Sequence, residues 1–67
     1  MRIGKVALAY GKVHRPLQVC RSAAGYYLGT LNHDGSPCSR ESKEYWATEQ
    51  EAQDAFKYGG WTQREHP

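Results

Sequence analysis

The stretch TEQEAQDAFKYGG, residues 48 to 60, carries the start and stop signals of a single short helix, and this constrains the chain more than any other segment. Thr48 is a good N-cap, and Glu51 three residues on completes a capping box, with Ala47 and Ala52 as a small hydrophobic staple. Glu49, Glu51 and Asp54 lie near the amino end and Lys57 near the carboxyl end, each favourable to the helix dipole. Ala52, Ala55, Phe56 and Gly59 recur at helical spacing as one narrow apolar stripe, and Gly59–Gly60 supply a left-handed stop. The expected helix runs from about residue 49 to 58. A stripe this narrow needs another element to pack against.

That element is upstream. NHDGSP, residues 32 to 37, is turn chemistry with Asp-Gly at its centre. YYLGTL before it reads as a strand, and CSRESKEYW after it as a polar strand exposed along most of its length and buried only near Tyr45 or Trp46. PLQVCRS alternates Leu17 and Val19 against Gln18, Cys20 and Ser22, and AAG allows a tight return. The expected fold is α+β: a three- or four-stranded antiparallel meander with one C-terminal helix on one face, forming one small domain over residues 1–67. Residues 16–46 form the three-stranded meander, 48–58 the helix and 61–67 a tail in which His66 frays. Within residues 1–15, KVALAY places Val6, Leu8 and Tyr10 on one side, as an edge strand would; a loose basic arm is the alternative.

With 67 residues the chain buries only about 60% of the surface its unfolded form exposes, so its large aromatic side chains must anchor the core. A dimer that shares their burial is a further expectation. The apolar run IGKVALAYG is short and contains Lys5, so no membrane span or export signal is expected, and a cytoplasmic location follows as the default.

Charge is distributed unevenly. Residues 1 to 33 hold five Lys and Arg and no acid, whereas residues 34 to 67 hold seven acids against four bases. Two oppositely charged segments lying side by side explain this, and an anionic partner is the alternative.

Chemistry-bearing residues are sparse. Cys20 and Cys38 fall on the two strands flanking the central one, roughly 9–10 Å apart, beyond disulfide reach, so free thiols are expected. His14 and His33 with these cysteines lack the paired short spacing of a zinc site, so no metal or cofactor is expected. His33–Asp34 sit at a turn tip without a nucleophile beside them. Glu41 and Glu44 fall on opposite faces of a strand and cannot act as one carboxylate pair. Gly25, Gly29 and Gly35 punctuate strands and a turn instead of opening a phosphate-binding helix. No enzymatic activity or small-molecule substrate is expected.

Strand–strand–strand–helix ending in YWATEQEAQDAF resembles the three-stranded-sheet DNA-binding modules, namely the arm-binding domain of tyrosine recombinases and the plant ethylene-response-type domain. The resemblance covers residues 16 to 58 and implies a sheet face laid into the major groove. Arg15, Arg21, Arg40 and Lys43 would then meet phosphates, with Tyr26 or Tyr27 stacking. The chain departs from those families in having no basic residue on its middle strand and in interleaving Arg40 and Lys43 with Glu41 and Glu44, which oppose phosphate contact. Its general look is also similar to short proteins carried by phages, plasmids and gene cassettes, which implies binding to a host protein. The leading expectation is therefore a non-enzymatic protein-binding module, an inhibitor or accessory factor of a mobile element. Its contact residues would be Tyr26, Tyr27, Arg21, Arg40, Lys43 and Trp61, and a small DNA-binding protein is the alternative.

Overall fold

A computed structural model describes residues 2 to 65. Its elements are α1 (Lys5–Gly11), β1 (Gln18–Ser22), β2 (Gly25–Leu31), β3 (Pro37–Arg40) and α2 (Glu49–Tyr58). The three strands form an antiparallel meander in the order β1-β2-β3, so the fold is α+β as the sequence implies. Register is fixed by Cys20 opposite Tyr27 and Thr30 opposite Ser39, with an irregularity at Thr30/Leu31. The 32–37 turn closes on itself: Asn32 N–H donates to Ser36 O, while Ser36 N–H and hydroxyl both donate to Asp34.

Helix α2 occupies the span expected for it. Thr48 Oγ1 accepts from the Glu51 N–H at 3.2 Å, and Gly59 ends the helix at φ 79° with its N–H on Ala55 O. In place of the full reciprocal box, the Thr48 hydroxyl donates to the Glu51 carboxylate. Ala52 and Ala55 are buried, and α2 packs across β1 and β2. Thr48→Ala should cost about 1 kcal/mol of stability, read from a chemical denaturation midpoint with unchanged slope.

Successive side chains of β2 point to opposite faces of the sheet. Leu28 and Thr30, both fully buried, share the helix face with Val19 and with Tyr26, over which Arg21 lies at 5.7 Å. Tyr27 and Cys20 share the opposite face, where the Tyr45 ring meets Tyr27 edge-on at 5.9 Å.

The amino-terminal segment corrects the sequence expectation of an edge strand or loose arm. It forms a helix, α1, with Val6 and Ala7 buried while Leu8 and Tyr10 are exposed, so the strand alternation of Val6, Leu8 and Tyr10 is not used. Ahead of α1, Ile3 bridges to Pro16 in strand fashion. The cause lies far away in the chain. A seven-residue helix does not stand alone in water, and its N-cap, Gly4, has no side chain to offer. The cap is the Glu41 carboxylate, which accepts from Val6 N–H at 2.8 Å and from Ala7 N–H at 3.1 Å.

The third strand is also shorter than expected. Leu28 O accepts from both Glu41 and Ser42 N–H groups, and Leu28 N–H turns to Ser42 Oγ, so the chain bulges after Arg40. It returns to the sheet only at Trp46, which exchanges backbone bonds with Tyr26. Glu41 and Ser42 are fully buried and Tyr45 is 39% exposed, the reverse of the expected pattern. Likewise the expected tail is not loose: Lys43 N–H donates to Thr62 O and Arg64 N–H to Glu41 O, adding residues 62–64 beside the bulge. His66 lies outside the described residues.

Candidate functional site

Helix α1 and Gln63 converge on Glu41. Besides the two α1 amides, its carboxylate accepts from Ser39 Oγ at 2.5 Å and from Gln63 Nε2 at 2.7 Å. Burial alone would raise its pKa, but these hydrogen bonds outweigh that penalty and hold it below the ordinary glutamate value. Glu44 performs a smaller version of the same task. Its two oxygens take the Thr62 N–H at 2.9 and 3.1 Å, and although desolvation opposes it, this bonding keeps the carboxyl below its usual range. The close approach at Glu41 depends on Gly4, where a Cβ would meet Thr30 Cγ2 and, at 2.7 Å, the Glu41 carboxylate.

The two segments clasped by Glu41 are the walls of a groove of about 630 Å3. Ile3, Leu8, Leu17, Trp61 and Gln63 all line it. Arg2 and Lys5 also line it, and among the described residues no acidic side chain does. Arg2 is held in place: its guanidinium lies 5.3 Å from the Phe56 ring centroid and donates to Phe56 O at 2.9 Å. Leu8 is 37% exposed and Trp61 half-buried, so apolar surface remains open along the groove.

A second, shallower groove of about 490 Å3 crosses the sheet face opposite α2, between Tyr27, Cys38, Arg40 and Tyr45. Arg40 lies 4.9 Å over the Tyr45 ring and donates to its hydroxyl, so both side chains are committed to one another. Burial pushes the Cys20 thiol up, partly opposed by hydrogen bonds from Tyr27 and the Gly29 backbone, and it pushes the Tyr27 phenol up as well. Cys20 and Cys38 are both free thiols, as expected from their strands.

The predicted contact residues do not gather. Tyr26 and Tyr27 split across the sheet as successive residues must, but Tyr27, on the face away from α2, is only 5% exposed beneath Tyr45 and offers no contact surface. Arg21 is on the helix face with Tyr26, and Arg40 on the other with Tyr45. Arg15 donates to His33 Nε2 at 2.9 Å beside the turn, and Lys43 follows the bulge next to Thr62. Trp61 alone enters the apolar groove. Leu8, Ile3 and Lys5 there were missed because the amino-terminal segment reads locally as a strand or an arm. Glu41 was missed because a glutamate among polar residues carries no sign of burial; the available hint was the nearby serines, Ser39 and Ser42, which satisfy the buried carboxylate and its bulge.

Among the described residues no group of three His, Cys, Asp or Glu side chains is placed to hold a metal ion. No described helix is long and apolar enough to cross a membrane. No family model matches the chain, and neither the curated proteins nor the solved structures include a match.

Proposed function

We propose that the chain is a non-enzymatic protein-binding module that receives an apolar segment flanked by acidic residues. One observation carries this reading: Trp61, Leu8 and Ile3 form a partly open apolar groove, and the charged side chains that line it among the described residues, Arg2 and Lys5, are cationic. Interface centres are rich in Trp and Arg, and an aromatic anchor in a pocket commonly dominates binding. The cationic lining selects against basic segments and speeds encounter with acidic ones. The DNA-binding alternative draws less support. Arg21 and Arg40 lie on opposite faces of the sheet, each over a tyrosine ring, and Arg15 bonds His33 beside the turn, so one face does not present all of these cations to a phosphate backbone.

Selection of binders from a displayed library of random peptides tests the reading. The enriched peptides should carry Leu, Ile or Phe flanked by Asp or Glu. Trp61→Ala should weaken the best of them by roughly 30-fold or more, the loss typical of a hot-spot residue, and Lys5→Glu should weaken them in a salt-dependent way. Enrichment of basic peptides, or equal binding by Trp61→Ala, contradicts the proposal. Salt-sensitive micromolar binding to non-specific duplex, with no peptide enriched, would favour the DNA alternative.

A further inference from the structure

We infer that β1 is a strand-addition edge that pairs antiparallel with β1 of a second copy of the chain, about a dyad at Cys20. The backbone phase of the sheet follows from its hydrogen bonds. Tyr26 exchanges N–H and C=O with Trp46, and Leu28 O accepts from Glu41 and Ser42, so Tyr26 and Leu28 direct their backbone groups away from β1. Gly25, Tyr27 and Gly29 therefore bond to their partners Ser22, Cys20 and Gln18. It follows that Val19 and Arg21 aim N–H and C=O outward from the sheet. Leu17 has the same phase, and its N–H already donates outward to Arg2 O at 2.9 Å, in a strand-like bridge. Beyond that bridge, Val19 and Arg21 have no backbone partner on the outer side among the described residues.

The opposite edge is protected in the ways sheet edges usually are. Pro37 has no N–H to give, the register breaks at Thr30/Leu31, and residues 62–64 cover the chain at Glu41 and Lys43. Edge pairing is therefore directed to β1, which has no proline and no acid between Gln18 and Ser22.

Self-pairing has one favourable register. Val19 opposite Arg21 of the second copy, and the reverse, uses all four outward groups and places Cys20 against its counterpart. Sliding so that Val19 faces Val19 would set Arg21 against Leu17, whose N–H is taken. Sliding the other way would set Arg21 against Arg21, and like charges directly opposite are unfavourable. In the favoured register the Arg21 guanidinium is drawn back over Tyr26 of its own sheet, away from the dyad. One five-residue strand pair buries less than the roughly 1,200 Å2 of a stable interface, so the dimer is a weak one, formed at high micromolar concentration and above.

Sedimentation velocity from micromolar to millimolar chain, with amide exchange followed at both ends of that range, tests this. The expected result is a concentration-dependent dimer with slower exchange at Val19 and Arg21 as it forms. Arg21→Pro removes an outward N–H that the monomer does not use, and should reduce dimerisation at least tenfold while leaving the circular dichroism spectrum unchanged. A monomer at every concentration, a dimer with unchanged exchange at Val19 and Arg21, or a dimer that a folded Arg21→Pro variant still forms would overturn the inference.

Discussion

Replacing Glu41 with alanine should abolish, or nearly abolish, cooperative folding. The substitution strands the Val6 and Ala7 amides, the Ser39 hydroxyl and the Gln63 amide, all of which donate to one fully buried carboxylate. A buried donor left without a partner costs about 1–3 kcal/mol, and with partial relaxation the set should cost about 3–5 kcal/mol. A chain of 67 residues has a total stability of roughly 3–10 kcal/mol, so most of it is at stake. Glu41→Gln preserves the shape but turns one acceptor into a donor facing donors, and should cost about 2 kcal/mol. Exposed Glu65→Ala should stay within about 0.5 kcal/mol. Thermal and urea unfolding followed by circular dichroism would rank the three; a Glu41→Ala protein as stable as the parent would refute the clasp.

Acid should reproduce part of this loss. Glu41 and Glu44 both have folded pKa values below their unfolded ones. The unfolded chain therefore takes up protons first as pH falls. The stability that the two carboxylates contribute is complete above the ordinary glutamate value, about 4.3, and is lost as pH drops through the lower folded values. Melting temperature should be nearly level from neutral pH to about 5.5 and fall steeply below about 4. Because Glu41 holds both α1 and Gln63, acid should open the Trp61 groove in the same window.

Gly29→Ala should have the second largest effect. Gly29 lies in the central strand, where a Cβ would collide with the Ser39 carbonyl oxygen and approach Tyr27 Cε2 to 2.8 Å. The carbonyl belongs to the paired strand β3 and cannot swing aside, and Tyr27 is pinned beneath Tyr45. Relief requires parting β2 from β3 or expelling the tyrosine ring, and the expected cost is about 3 kcal/mol or more. Gly60→Ala is the control: its Cβ would meet nothing within 4 Å, and the change should be close to neutral. Urea midpoints for the two variants measure the contrast directly. Equal midpoints would mean that the sheet is looser around Tyr27 than its packing implies.

These two sites also mark what local sequence could and could not reveal. Helix α2 was legible because Thr48, Glu51, Ala52, Ala55 and Gly59 all act within one another's reach along the chain. The 32–37 turn was legible for the same reason, since Asp34 and Ser36 bond to each other. Helix α1 was not, because its cap lies at Glu41, thirty-five positions away from Val6. An apolar segment with Val6, Leu8 and Tyr10 fits a strand equally well until that partner is known. The bulge at Glu41–Ser42 likewise depends on Ser42 Oγ reaching Leu28 N–H, a contact across the sheet that period-two alternation cannot express. The site followed suit. Trp61 was visible as an aromatic beyond a helix stop, but its companions Ile3 and Leu8 become neighbours only when α1 docks.

One carboxylate, Glu41, joins α1 to Gln63 beside the groove. Direct carbon-13 observation of the Glu41 side-chain carboxyl through a pH titration tests it most simply. The prediction is a midpoint below the ordinary glutamate value, with the Val6 and Ala7 amides losing exchange protection as Glu41 takes up its proton. A midpoint at or above the ordinary value, with those amides unaffected by the titration, would contradict it.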